Sequence, residues 1–247
     1  METCTAILIC EGPTDVAVVG ACLEKKYGAT TEELKTSNQR NYYSKAVISC
    51  VRISLFVPEP SSLPQAEKAL VLMANNTATR GLNPSLRHLC LVRDQNGHNL
   101  ADLATKFQEF VGEVGKPETQ PVDAGNGIFR LPNLSLRQIL MGDSAFGEND
   151  KNAVDDHVVD CLCQTGRADI GNLTAAFEEI TGNPPNSKQF VTLAMALDSH
   201  LGKPTRYYNN VIQNTSEAWI TEFVARIGLD DLIQAAIADS YIMPSQG

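Results

Sequence analysis

TAILICEGPTD, residues 5–15, joins a compact apolar run to an acidic turn and then to a helical pattern. The apolar run, residues 5–10, has the length and content of a buried strand. It stops at Glu11-Gly12-Pro13, where Thr14 is a suitable N-cap for a helix. Apolar residues then recur at helical spacing as far as Tyr27. A strand, a short turn and a helix in this order predict the first unit of a parallel α/β sheet.

Strand patterns alternate with helical patterns through the rest of the first half. They predict strands at 45–57, 88–93 and 127–131 (the last one in the chain), and helices at 63–74 and 100–114. The stretch 28–44 is polar without a clear period, and no element is assigned to it. We therefore expect an α/β fold, a Rossmann-like parallel sheet flanked by helices.

The second half of the sequence is different, because its strand signal disappears after about residue 146. Helical patterns follow at 154–165, 172–181, 187–201, 216–227 and 229–237. Two glycines and Asn149 mark the change near 142–150. The sequence therefore predicts an α/β domain at 1–141 and a mainly α-helical C-terminal region at 142–247.

Length and composition indicate a globular protein. The chain of 247 residues is long enough to bury a sizeable core. No apolar run reaches the roughly 18–20 residues of a membrane-spanning helix, and the N-terminus lacks the basic start of a signal peptide. Seven cysteines, an odd number, lie mostly within apolar runs. We expect a cytoplasmic protein with reduced thiols and no contact with a membrane.

The charge of the chain limits how it could bind nucleic acid. The formal net charge is −9, and residues 124–247 hold 8 basic and 15 acidic side chains. A protein that neutralises phosphates directly usually presents a basic face. The charge therefore argues against a bulk DNA-binding protein and requires any contact with phosphate to recruit cations.

Acidic residues follow two of the predicted strands. Glu11 ends the first strand, Asp15 lies four residues later in a first helical turn, and Asp94 ends the strand at 88–93. Carboxyl ends of parallel strands meet at one edge, so these side chains should converge there and hold Mg²⁺ or Mn²⁺. In the alternative interpretation, Glu11 and Asp15 only favour the helix dipole and Asp94 only forms a turn.

These residues resemble the signature of the TOPRIM fold, a strand followed by Glu-Gly-x-x-Asp and a later strand followed by Asp-x-Asp. Glu11, Gly12 and Asp15 match the first motif, and Asp94 matches the first acid of the second. Asn96 stands where the second motif has its other acid, and an uncharged amide would weaken metal binding. The chain as a whole resembles the stand-alone TOPRIM-like proteins related to the overcoming-lysogenization-defect (OLD) nucleases.

The resemblance implies a TOPRIM-like sheet and a Mg²⁺-dependent protein that acts on nucleic-acid phosphodiesters with nuclease-type chemistry. Its metal ligands would be Glu11, Asp15, Asp94 and, more weakly, Asn96, with Glu11 and Asp94 as the catalytic residues. Nucleic acid would be bridged by the metal. The chain has no phosphate-cradling loop, so the ATPase that accompanies OLD-type nucleases would be a separate protein. A homodimer through the helical region is a further expectation.

Several side chains and functions are left as alternatives. Arg93, His98 and Lys188 are candidates for contacting phosphate, although such side chains are mostly solvated. His157 and Cys161 share a helix face and could bind a soft metal, but two ligands do not make a site, and buried residues of an amphipathic helix are the favoured explanation. The competing function is a catalytically degenerate TOPRIM module that serves as a regulatory or partner-binding subunit. A phosphatase or phosphotransferase of another α/β family lacks its usual Asp-x-Asp-x-Thr context here.

Overall fold

The computed structural model describes residues 4–35, 41–48, 51–81, 85–96, 98–115, 120–141 and 154–242. The strands are β1 (Cys4–Cys10), β2 (Thr30–Lys35), β3 (Asn41–Ile48), β4 (Val51–Phe56), β5 (Leu86–Asp94), β6 (Val122–Asp123), β7 (Ile128–Leu131) and β8 (Leu134–Met141). The helices are α1 (Pro13–Tyr27), α2 (Leu63–Arg80), α3 (Leu100–Val111), α4 (Val154–Gln164), α5 (Ala168–Thr181), α6 (Ser187–Leu197), α7 (Pro204–Asn214), α8 (Glu217–Arg226) and α9 (Leu229–Ile242). A 3₁₀ turn, Ser199–Leu201, lies between α6 and α7.

The strands form one mixed sheet in the order β2-β3-β4-β1-β5-β8-β7-β6. The four central strands, β4, β1, β5 and β8, are parallel. Both margins are antiparallel, since β3 pairs with β4 and β7 pairs with β8 in the opposite direction. The predicted α/β fold with flanking helices and a helical C-terminal region is confirmed, with a sheet that is parallel only at its centre.

Helices cover both faces of the sheet and create two clusters of buried side chains. Alternation along β1 directs Leu8 to one cluster and Ile9 to the other. The Leu8 cluster includes side chains from α1 and from the C-terminal helices, such as Phe223, whereas the Ile9 cluster includes Leu70 of α2 and Phe107 of α3. The C-terminal helices therefore share a core with the sheet, and the division into domains at 1–141 and 142–247 stays a prediction.

The first helix begins earlier than its sequence suggests. Its N-cap is Gly12 rather than Thr14, and Asp15 closes the first turn because its Oδ2 accepts a hydrogen bond of 2.8 Å from the Gly12 N–H. The helix ends at Gly28, whose φ of 65° is a left-handed conformation that glycine adopts without strain. The start of α1 therefore fixes Asp15 against the end of β1.

Several strands and one helix differ from the sequence prediction. The single strand expected at 45–57 is two antiparallel strands, β3 and β4, and β2 lies in the stretch that has no clear period. The strand at 127–131 is not the last, because β8 follows it and pairs parallel to β5. Helix α7 is also absent from the sequence prediction. The change of character at 142–150 lies outside the described residues. No helix in the described ranges is long and apolar enough to cross a membrane.

Candidate functional site

The two strand-end acids predicted from sequence lie at the same edge of the sheet. Glu11 directly follows β1, and its N–H donates a 3.2 Å hydrogen bond to the carbonyl of Val92 in β5. Asp94 is the last residue of β5, the parallel neighbour of β1. Asp15 is buried, with 3% of its surface exposed, in the first turn of α1. The structure thus brings Glu11, Asp15 and Asp94 to one edge.

Burial, with a smaller contribution from mutual repulsion, raises the pKa values of two of these carboxylates. Burial raises the pKa of Asp15 to about 7, helped by the negative charges of Glu11 and Asp155 and opposed by the Gly12 N–H. Burial likewise raises the pKa of Asp94 to about 8, helped by Asp15, Glu11 and Asp155 and opposed by the Val154 N–H. The fold therefore holds protons at this edge that a bound cation would replace.

A fourth carboxylate, Asp155, was not predicted as part of the site. It lies in the first turn of α4, where the N–H of Val154 donates a 2.9 Å hydrogen bond to Asp94 Oδ1. The hydroxyl of Tyr208 in α7 donates to Asp155. The Asp155-Asp156 pair was visible in the sequence, but only packing of α4 against the end of β5 brings it to the strand-end acids.

One oxygen of Glu11 has no partner. Among the described residues, Oε2 of Glu11 is buried and accepts no hydrogen bond. Behind it, Arg93 is 3% exposed and its Nη1 lies 3.5 Å from Oε1 of Glu67 in α2. Burial lowers the pKa of Arg93, while the charges of Glu67 and Glu11 oppose that shift. Arg93 is thus a buried cation within electrostatic range of Glu11, not an exposed side chain.

Asn96, His98 and Lys188 are exposed, and no contact with the strand-end carboxylates joins them in the part of the chain described. Asn96 has a φ of 50°, a left-handed conformation that Asn tolerates better than most residues. The turn is closed by the His98 N–H, which donates 3.0 Å to the carbonyl of Gln95. Lys188 follows Ser187, which hydrogen-bonds Asp156 in α4. The structure therefore gathers the acids but not these accessory groups.

The pair on α4 is a packed element of the core. His157 is fully buried, and its ring lies 4.6 Å from the ring of Phe223. Burial lowers the pKa of His157 to about 3, with Arg226 contributing, and burial raises the pKa of Cys161 to about 12. Both groups are therefore neutral at pH 7, as expected of core residues.

No group of three or more His, Cys, Asp or Glu side chains within the described ranges is already arranged around a common metal position. The described acids at the sheet edge do not form such a group either. Glu11, Asp15, Asp94 and Asp155 therefore interact through their charges without closing around one point. Rotation of their side chains would be needed to complete a ligand set.

Comparison of the sequence with protein-family models and with curated proteins finds no match. Among solved structures, the fold is similar to that of a hypothetical protein from Pyrococcus horikoshii OT3. The TM-score is 0.69 at 15% sequence identity, and the alignment covers 95% of this chain and 100% of the other. At this identity the likeness shows a shared fold and nothing about activity.

Proposed function

We propose that the protein acts on nucleic-acid phosphodiesters in a Mg²⁺-dependent reaction of nuclease type. The observation that carries this proposal is the meeting of Glu11, Asp15 and Asp94 at the carboxyl edge of two adjacent parallel strands. Open α/β sheets bind their ligands at this edge. The TOPRIM-like relationship and a separate ATPase partner belong to the same proposal and rest on the sequence motifs.

The chemistry of the acids fits a hard divalent cation. Mg²⁺ and Mn²⁺ take oxygen ligands, and the buried Oε2 of Glu11 is an oxygen without a partner in the described chain. Glu11, Asp15 and Asp94 would hold the ion, with Asp155 close enough to influence Asp15 and Asp94. When bound, the cation would stabilise negative charge on the phosphodiester.

Side chains and backbone groups of the protein would orient the acids and accept a proton. A carboxylate oxygen of Glu11 that does not hold the cation would take a proton from an attacking water. The Val154 N–H orients Asp94, and the Tyr208 hydroxyl orients Asp155. An acidic chain with a net charge of −9 gains no affinity for phosphate from its overall field. The proposal therefore requires the cation for binding as well as for reaction.

Cleavage assays test the proposal directly. Purified protein is incubated with single-stranded DNA, duplex DNA and RNA, with Mg²⁺, Mn²⁺ or EDTA. We expect cleavage only with a cation, and a loss of about 100-fold or more in Glu11→Gln and Asp94→Asn. Glu109→Gln, which changes an exposed acid on α3, is the matched control and should retain activity. Intact substrates under all conditions, or unchanged cleavage in both site variants, would contradict the proposal.

A second candidate function is a catalytically degenerate module that acts as a regulatory or partner-binding subunit. The observation in its favour is Asn96, an exposed amide at the position of the second motif's other acid. Asn96→Asp separates the two candidates. A gain in Mn²⁺ affinity and cleavage would indicate degeneration, whereas no gain would mean that residue 96 does not take part in the site.

A further inference from the structure

A polar cavity lies at the edge of the sheet opposite the strand-end acids, near the start of β5 and β8. Its volume is about 360 Å³. Three arginines from neighbouring strands line it, Arg87 of β5, Arg130 of β7 and Arg137 of β8, together with His88 and Asp239. His88 and Asp94 are six residues apart along β5, which corresponds to about 20 Å. The cavity is therefore separate from the strand-end acids.

The lining of this cavity carries an excess of positive charge. Among the described residues, the guanidinium groups of Arg130 and Arg137 share the cavity with one carboxylate, Asp239, in a chain whose overall charge is −9. Arg137 is 7% exposed, and its Nε has no hydrogen-bond partner among the described residues. Buried polar groups are almost always hydrogen-bonded, and a buried guanidinium without an acceptor is costly. The Nε donor of Arg137 is therefore available to an anionic ligand.

His88 adds no charge to the cavity at neutral pH. It is 2% exposed, its Nε2 lies 3.0 Å from Asp239 Oδ2, and its Nδ1 has no partner in the described chain. Burial lowers the pKa of His88 to about 4; Arg137 and Arg87 lower it further, while Asp239 opposes the shift. The imidazole is therefore neutral at pH 7, and the arginines determine the sign of the potential in the cavity.

We propose that the cavity formed by Arg130, Arg137 and His88 binds the phosphate group of a small phosphate monoester. Guanidinium groups bind phosphate through paired, charge-assisted hydrogen bonds, and Arg137 Nε is a donor without an acceptor. Asn133 and Ser135 line the same cavity and add polar side chains beside the arginines. The volume is at the lower end of the range for small-molecule sites, so it suits a phosphate with a compact substituent.

Binding measurements with defined probes test this site. Inorganic phosphate, adenosine 5′-monophosphate and adenosine are titrated into the full chain in EDTA by calorimetry, and thermal unfolding is followed in parallel. We expect phosphate and the monophosphate to bind and raise the unfolding midpoint, while adenosine does neither. Equal affinity for the two phosphates would identify free phosphate as the ligand, and tighter binding of the monophosphate would identify an ester.

Substitutions locate the binding. Arg130 is exposed, so Arg130→Gln should fold normally and weaken phosphate binding about tenfold, the effect of losing roughly one charge-assisted hydrogen bond. Arg52→Gln changes an exposed arginine on β4 and should bind as wild type. Ala235→Leu places a larger side chain in the cavity and reduces its volume without changing its charge, so it should weaken binding of the monophosphate more than binding of inorganic phosphate.

The proposal can fail independently of the nuclease hypothesis. Glu11→Gln should bind phosphate as the wild-type protein does, because Glu11 lies at the other edge of the sheet. The assignment of this cavity would be overturned if neither phosphate nor the monophosphate bound to wild type at concentrations up to about 20 mM. It would also be overturned if wild type, Arg130→Gln and Ala235→Leu bound them equally.

Discussion

The two ends of the central parallel strands carry opposite chemistry. At the carboxyl ends, Glu11, Asp15 and Asp94 meet beneath the first turns of α1 and α4. At the amino ends, Arg130 and Arg137 line a cavity to which α9 also contributes. Helix N-termini favour negative groups, so the first turns of α1 and α4 match the sign of the side chains at the carboxyl ends.

Local hydrogen bonds and ion pairs do not balance the charge at either edge of the sheet. Backbone N–H groups of Gly12 and Val154 lower the pKa of Asp15 and Asp94, yet burial and mutual repulsion outweigh them. At the other edge, Asp239 is the one carboxylate among the described lining residues and offsets only part of the charge of Arg130 and Arg137. Each edge therefore has an unbalanced charge of one sign, and each would be stabilised by an ion of the opposite sign. The net charge of −9 for the whole chain does not reveal the local charge at either edge.

The largest expected effect concerns the pH dependence of stability without metal. The pKa values of Asp15 and Asp94 rise from 3.8 to about 7 and about 8 in the folded protein. The folded state therefore keeps protons that the unfolded chain has released. Their stabilising contribution is complete below about pH 4 and is lost as the pH rises through about 7 and 8, the pKa values of the folded protein.

Urea denaturation of wild type and Asp94→Asn in EDTA measures this loss. An amide is neutral at every pH, so the variant should match wild type near pH 4 and be more stable by a few kcal/mol at pH 8. Glu109→Gln, on the exposed side of α3, serves as the control and should follow wild type. Parallel stability curves for wild type and Asp94→Asn would show that the pKa of Asp94 is not raised as described.

A divalent cation should reverse the loss. Because the ion must displace protons from Asp15 and Asp94, Mn²⁺ or Mg²⁺ should stabilise the protein at pH 8 and have little effect at pH 5. At 100 times its dissociation constant the ion would add about 2.7 kcal/mol. Thermal unfolding at the two pH values measures this. Equal stabilisation at both, or stabilisation that persists in a Glu11→Gln, Asp94→Asn double variant, would contradict binding at this edge.

A smaller effect isolates the contact between Asp94 and α4. Asn can still accept the Val154 N–H hydrogen bond, whereas Ala cannot. Asp94→Ala should therefore be less stable than Asp94→Asn by about 1 kcal/mol, the usual value of an N-terminal cap. Amide hydrogen exchange should quicken in the first turn of α4 in the Ala variant alone. Identical exchange in the two variants would mean that Asp94 does not anchor this helix.

Strands β1, β5 and β7 could be predicted from sequence, whereas β2, β8 and the division between β3 and β4 could not. Buried parallel strands are compact apolar runs, so β1 and β5, and the acids that end them, are visible in the sequence. Strand β8 contains Arg137 and Gln138, which break its apolar pattern, although Arg137 is buried. Asp155 joins the site only through tertiary packing. The arginine cavity combines three strands, and no local pattern predicts it.

The smallest expected effect tests the charge balance of the arginine cavity. Asp239 is the acid that faces the arginines, and Asn would keep a polar atom near His88 Nε2 while removing the negative charge. The side chain of Asp239 is 43% exposed, so solvent screens its charge and the gain should be modest. Asp239→Asn should tighten phosphate binding about threefold at low salt, and the difference should shrink as sodium chloride is added. Asp231→Asn, an exposed acid on the same helix, should leave the affinity unchanged. Weaker binding by Asp239→Asn would mean that Asp239 acts by holding His88 in place, and the opposition of charge between the two edges would not explain binding.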